Sequence, residues 1–285
     1  MPGYHLPLFA AAATGIWVRH GLEVELVDPY AGPANARAAA MGRYDACLTS
    51  VAHFLRAKAD EPELAARFVT MVASDSHMAV FARRDTGIRE FGDLTGASVL
   101  GSPDKAFIRE YDALLRHLGL ERGPLVEVPY DETMAALAAG KADVAADFLD
   151  LLPAFEAAGA DVVALPFADA GIDVYGSGAV AGTHFIDERP DALRRLLVAL
   201  RDALEETRRD PGRGVDAMRA RIPDVDVRRA LRGWEAGQRL VFLDKPMDAE
   251  KWQRTIDHHA EAHGLPRVAP TSVFDARFEP VTAPA

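Results

Sequence analysis

Residues 38–55, AAAMGRYDACLTSVAHFL, decide the fold, because residues 135–152, AALAAGKADVAADFLDLL, repeat their frame. Each stretch has an Ala-rich helical run, a glycine, an aspartate three residues on, a short apolar strand, and a polar cluster that opens a helix. Gly42 answers to Gly140 and Asp45 to Asp143. The upstream segments agree in kind: GLEVELVDPY (21–30) and GPLVEVPY (123–130) each read as an alternating strand running into a loop. Two similar α/β units predict two lobes, and a polar site between lobes is the expected ligand position.

Reading outward, residues 7–20 predict a helix ending at Gly21, 22–27 a strand, 35–41 a short helix, 44–48 a strand and 51–59 a helix capped by Thr49 or Ser50. Strands at 68–73 and 78–82 flank the polar turn Ser74-Asp75-Ser76-His77. The second unit predicts strands at 97–100, 125–128, 144–146 and 162–165, alternating with helices at 105–118, 132–139 and 149–158. A strand at 174–182, broken by Gly176 and Gly178, returns the chain to the first lobe, and helices follow at 190–208, 215–221, 225–240 and 249–262. This alternation predicts an α/β fold with a mostly parallel sheet in each lobe, flanked by helices. Lobe one takes residues 1–82 and 172–285, and lobe two 83–171. The repeat also exposes a gap: the strand at 97–100 has no counterpart before Gly3-Tyr4-His5, so either lobe one is missing its first strand or the true start lies upstream of Met1.

The 285 residues carry a formal charge of -11, which argues against a nucleic-acid partner. Anionic small ligands stay possible, since backbone N–H groups at helix starts bind them. Cys47 is the only cysteine and reads as a buried thiol in a strand, so no internal disulfide can form. No run of 18 apolar residues is present, and the apolar opening lacks the basic segment of an export signal. G-x-G-x-x-G, P-loop and G-x-S-x-G motifs are absent.

Ligand contacts are expected from loops at strand ends. Tyr4 can stack on a flat ligand and His5 can donate to it. Thr49 and Ser50, with His53 one turn on, follow a strand directly. Two hydroxyls at a helix start suit a carboxylate, sulfonate or carbonyl, and the same residues also suit plain N-capping. Ser102 and Lys105 are the second lobe's equivalent. Asp147 sits where Thr49 or Ser50 sits in the first lobe; an acid there suits an amine or an amino-pyrimidine and opposes a plain oxyanion, while an N-cap for the following helix is the commoner role of an aspartate at such a place. Ser74 and Asp75 lie near the expected crossover, with Asp75 and His77 able to pair. Tyr175 and Ser177 lie on the returning segment, where Gly176 and Gly178 permit close backbone approach. His259 and His263 are spaced i, i+4 beside His258, as zinc ligands can be, but no third ligand is evident and a solvated helix end is the expectation. Trp17, Trp234 and Trp252 read as packing anchors.

PGYHLPLFAAAATGIWVRHGLEVEL (2–26), GRYDACLTS (42–50), DTGIREFGDLTGASVLGSP (85–103), AALAAGKADVA (135–145) and FIDERPDALRRLLVAL (185–200) occur in an order that resembles the NMT1/THI5-like solute-binding proteins. The resemblance implies a two-lobed type II periplasmic-binding-protein fold that closes on a small polar, heterocyclic or aromatic molecule. It further implies an ABC-importer permease as partner, no cofactor, no metal, a monomer, and a periplasmic or cell-surface location. The family's leading strand and export signal are absent here, which leaves a cytosolic location open. An enzyme branch of the family makes a thiamin precursor with pyridoxal phosphate on a lysine. Its histidine motif is similar to Thr49-Ser50-Val51-Ala52-His53, so His53 matches, but the lysine position falls on Thr49. Its cysteine-rich run falls near residues 174–178, where no cysteine stands. A cytosolic enzyme acting on a pyrimidine or aromatic acid is therefore the alternative, and a cytosolic ligand sensor a third reading.

Overall fold

The computed structural model describes residues 5–279 apart from 28–29, 31, 103–105, 242 and 244. The repeat is realised in atomic detail. Helix α3 (Ala34–Ala40) ends at Gly42 with φ 71°, and helix α6 (Thr133–Ala138) ends at Gly140 with φ 72°. The amide of Gly42 donates to the Ala39 carbonyl and that of Arg43 to Ala38; Gly140 and Lys141 repeat both bonds to Leu137 and Ala136. These are glycine-terminated helix ends, in which the left-handed residue turns the chain back under the last carbonyls. Strands β1 (Ala46–Ser50) and β6 (Val144–Phe148) then begin four residues after each glycine.

Alanine at either glycine is expected to cost about 1–2 kcal/mol for the left-handed backbone. Gly140→Ala should be the worse, because its Cβ would lie 2.6 Å from the Arg83 guanidinium, against 3.5 Å from His184 at Gly42. Urea titrations of the two variants would show the order.

The remaining elements of lobe one up to the first crossover are α1 (Leu6–Ala13), α2 (Ile16–Arg19), α4 (Val51–Asp60) and β2 (Ala66–Ala73). Lobe two contains β3 (Met78–Arg83), β4 (Val99–Gly101), α5 (Ala106–Leu118), β5 (Leu125–Glu127), α7 (Leu152–Ala157) and β7 (Val162–Pro166), besides α6 and β6. The chain returns through β8 (Ser177–Gly182) to α8 (Thr183–Glu188), α9 (Pro190–Arg209), α10 (Pro211–Arg221), α11 (Val227–Gly237) and α12 (Ala249–His263).

The sheet of lobe two has the order β5-β4-β6-β3-β7, and that of lobe one β1-β8-β2. In lobe two β5, β4, β6 and β7 run one way, and β3 is inserted against β6 and β7. In lobe one β8 lies antiparallel between β1 and β2. The expected parallel direction thus holds for all strands except the two that leave a crossover. Each of these enters its sheet head-on from the other lobe.

Alternation on β3 explains the layering of lobe two. Met78, Val80 and Ala82 pack with Tyr111 and Leu114 of α5, while Ala79 and Phe81 pack with Leu137 of α6 and Phe155 of α7. In lobe one, Phe68, Met71 and Val180 face Phe54 of α4 and Trp252 and Ile256 of α12. Val69, Ala179 and Ala181 face Leu193 and Leu197 of α9. Trp17, Trp234 and Trp252 are all buried packing residues, as their patterns suggest. No helix among the described residues is long and apolar enough to cross a membrane.

Three expectations fail. The helix over 7–20 is two helices, because Gly15 adopts a left-handed conformation (φ 69°) between them. Residues 22–27 form no strand. Leu22, Val24 and Leu26 still turn inward and pack beside α2, α9 and α10, but no neighbouring strand among the described residues pairs with their backbone. The matching segment of lobe two becomes β5 because β4 lies alongside it. The end of α12 is no solvated helix end: His259 is 6% exposed, and the His263 side chain is also buried.

Candidate functional site

The two lobes meet where both sheets end at the crossovers. Ser50 and Ala73 both lie opposite Ser177, forming one row across the lobe-one sheet. Phe148 lies opposite Met78, at the corresponding end of lobe two. The first crossover, residues 74–77, passes directly against Gly176 of the second: the Gly176 amide donates to the Ala73 carbonyl at 3.1 Å. A Cβ on Gly176 would stand 2.5 Å from His77 Nδ1 and 2.6 Å from the Asp75 carbonyl oxygen. The glycine foreseen as a point of close approach is therefore where the two hinge segments touch.

Ser50 caps α4 by accepting the His53 amide at 3.3 Å, so its capping role is realised. Thr49 is buried beside it. His53 keeps solvent contact, yet desolvation of its ring lowers its pKa below the ordinary histidine value. His77, half-buried in the hinge, stacks on Phe148 with centroids 4.5 Å apart. Burial pushes its pKa down to about 4, with the Glu110 carboxylate opposing and the His53 and His259 rings adding to the effect. The ring is therefore neutral at pH 7.

Asp147 carries the electrostatic weight of the site. It is 1% exposed at the end of β6, where it accepts the Phe148 amide at 2.8 Å through Oδ1. Burial raises its pKa to about 7; the Phe148 amide and Tyr130 hydroxyl favour the charged form without offsetting burial, and Asp150 adds repulsion. Oδ2 is buried with no donor in hydrogen-bonding geometry, and the same holds for Ser74 Oγ and His77 Nδ1. A buried polar atom left so costs about 1–3 kcal/mol. An aromatic wall stands beside these groups: His77 on Phe148, Phe148 edge-on to Phe107 (5.3 Å), and Phe107 stacked on Tyr130 (5.4 Å).

Helix α11 closes the other side. Its Trp234, with His77, Leu149, Asp150, Ser177 and Leu240, lines a cavity of about 30 Å³ between the lobes. That holds about two waters, so entry of a ring-sized molecule requires the lobes to part. Arg232 of α11 reaches Glu156 of lobe two at 2.5 Å, and Arg239 reaches Asp169 at 3.1 Å. Both pairs are surface-exposed latches of small individual worth.

The structure thus gathers Thr49, Ser50, His53, Ser74, Asp147 and Ser177 around the crossover. Continuing the register of β4 against β6 by two residues sets Ser102 level with Asp147. His5 stands at the start of α1. Tyr4 and Lys105 lie outside the described residues. Asp75 and Tyr175 lie at the crossover with partners at α12. The Asp75 carboxylate accepts Lys251 Nζ at 2.8 Å rather than pairing with His77, and the Tyr175 hydroxyl accepts the Asp248 amide at 2.7 Å, so both tie the hinge to α12. Cys47 is held inert, its pKa pushed up to about 12 by burial. Asp150, Tyr130, Phe148 and Trp234 were not foreseen. Asp150 carried one signal, its position three residues after Asp147 on the turn that opens a helix. Trp234 carried none, since it reads as the apolar face of an amphipathic helix.

A search of curated proteins returned no match. Among solved structures, the aliphatic sulphonate binding protein SsuA of Escherichia coli superposes with a TM-score of 0.77 at 16% identity, over 94% of this chain and 88% of that one. The alkanesulfonate-binding protein SsuA of Xanthomonas axonopodis pv. citri, bound to MOPS, gives 0.67 at 18% identity, over 95% of both chains. The desulfurization enzyme DSZB gives 0.60 at 17%, over 95% of this chain and 94% of that one. At such identities these likenesses establish the periplasmic-binding-protein fold, which binding proteins and an enzyme share. The family model described as NMT1/THI5 like matches residues 3–213, and on that match, over most of its length, the chain belongs to the NMT1/THI5-like family.

Proposed function

We propose that this protein is the solute-binding component of an ABC importer, acting outside the cytoplasmic membrane. It closes its lobes on a small aromatic or heterocyclic molecule that offers an N–H donor to Asp147. The observation that carries this reading is the set of three unsatisfied atoms at the crossover: Asp147 Oδ2, His77 Nδ1 and Ser74 Oγ. Folding gains nothing from leaving them unpaired, whereas a ligand that pairs them recovers that cost. Phe148, Phe107, Tyr130 and Trp234 supply apolar faces for a planar ring. A neutral His77 accepts as readily as it donates. Closure follows from ligand contacts to Ser50 and Ser177 on one lobe and Asp147 on the other.

The sulfonate ligands named for the SsuA proteins fit this site poorly. A sulfonate is a pure acceptor, and once Asp147 ionises above about pH 7 its buried charge repels one. The expected result of a thermal-shift screen is stabilisation by amino-substituted pyrimidines and related heterocycles, none by alkanesulfonates, and loss of the effect in Asp147→Asn. Stabilisation by alkanesulfonates alone would overturn the assignment of ligand class. Turnover of any compound that shifts the melting temperature would favour the enzyme reading, which draws on the fold shared with DSZB and on the resemblance at His53.

A further inference from the structure

Glu110 on α5 belongs to lobe two, and His258, His259 and His263 on α12 belong to lobe one. The lobes bring them together: His258 Nε2 lies 2.8 Å from Glu110 Oε2, while His263 Nε2 at 2.5 Å and His259 Nδ1 at 3.2 Å share Oε1. We propose that these four side chains form an interlobe zinc site that ties α12 to α5.

Three observations support the assignment. The group is sealed, with Glu110 7% and His259 6% exposed. A lone buried carboxylate ringed by three imidazoles has no packing rationale, since an apolar residue would fill the same volume without desolvation. His259 Nδ1 is buried and makes no hydrogen bond in proper geometry, although it points at the carboxylate. Finally, ligand atoms of Glu110, His258 and His259 all lie within 4.8 Å of one another. A zinc ion needs bonds of about 2.0–2.2 Å to nitrogen and oxygen in a tetrahedron. Small side-chain adjustments would admit it, with His263 as fourth donor through Nε2. One carboxylate and three imidazoles suit zinc better than calcium or magnesium, which prefer oxygen. Four protein donors and little solvent access describe a closed, structural site rather than a catalytic one. Because the donors come from both lobes, bound zinc would favour the closed arrangement. The site stands apart from the solute-binding proposal, and its test does not need a solute.

The test uses the full chain after chelator treatment, with zinc alone as the probe. In competition with a chromophoric chelator, one zinc ion should bind per chain. Glu110→Gln and, separately, His258→Ala should weaken binding at least about 100-fold, beyond the about 10–100-fold typical of losing an outer-shell partner. His258 is the safer variant, since its side chain is less buried than Glu110's. Cobalt in the unaltered protein provides a reading that needs no variant: the intense visible bands of a four-coordinate ion are expected. Failure of the unaltered protein to compete for zinc, equal binding by both variants, or a pale six-coordinate cobalt spectrum would each overturn the proposal.

Discussion

Asp147→Asn is expected to stabilise the protein by about 4 kcal/mol above pH 7 while abolishing solute binding. The folded state holds this carboxyl at a pKa of about 7 against the ordinary 3.8. Between those values the native protein keeps a proton that the unfolded chain releases, so stability falls as pH rises through the window. The penalty is absent below about pH 4 and complete above about pH 7. At about 1.4 kcal/mol per pH unit, the displacement amounts to about 4 kcal/mol. Asparagine has nearly the same shape, keeps an acceptor for the Phe148 amide, and carries no charge to desolvate. Urea midpoints at pH 8 should therefore rise in the variant with an unchanged slope, and the two proteins should converge near pH 4. Equal stability at pH 8 would mean that Asp147 is solvated or paired, and would remove the electrostatic basis of the site. A group retained at such a cost is the usual mark of function traded against stability.

Gly176→Ala should destabilise by about 3 kcal/mol, at the upper end of what overpacking costs. The new methyl would press on the Asp75 carbonyl at 2.6 Å and on His77 Nδ1 at 2.5 Å. Swinging the ring aside would break its stack on Phe148, and the carbonyl is backbone, so the two crossovers would have to separate. Gly92→Ala supplies the control: nothing lies within 4 Å of its Cβ position, and it has no left-handed φ. Calorimetric melts of the pair should differ by several degrees. Equal melting would show that the crossovers are not packed as described.

The lobes were legible because their signal is local. A glycine that ends a helix and an aspartate that starts a strand are readable without knowing what packs on them. The capping of α4 by Ser50 was legible for the same reason. Residues 22–27 misled because alternation reports which face is buried, not whether a partner strand exists. Asp75 and Tyr175 lie at the crossover as foreseen, but their side chains were claimed by Lys251 and Asp248 on α12, more than 70 residues away in sequence. The histidines of α12 were dismissed for want of a third ligand. In the zinc site proposed above that ligand is Glu110, on a different lobe, where no spacing rule reaches. Asp147 was read as a cap or an amine partner, and only its burial and its unsatisfied oxygen give the second reading its force.

The most direct measurement is native mass spectrometry of the protein as purified, followed by identification of whatever a denaturing step releases. The account predicts one intact small molecule per chain, planar, nitrogen-bearing and able to donate a hydrogen bond, and its absence from Asp147→Asn purified in the same way. A covalent adduct, a processed product, or a sulfonate without an N–H group would contradict it.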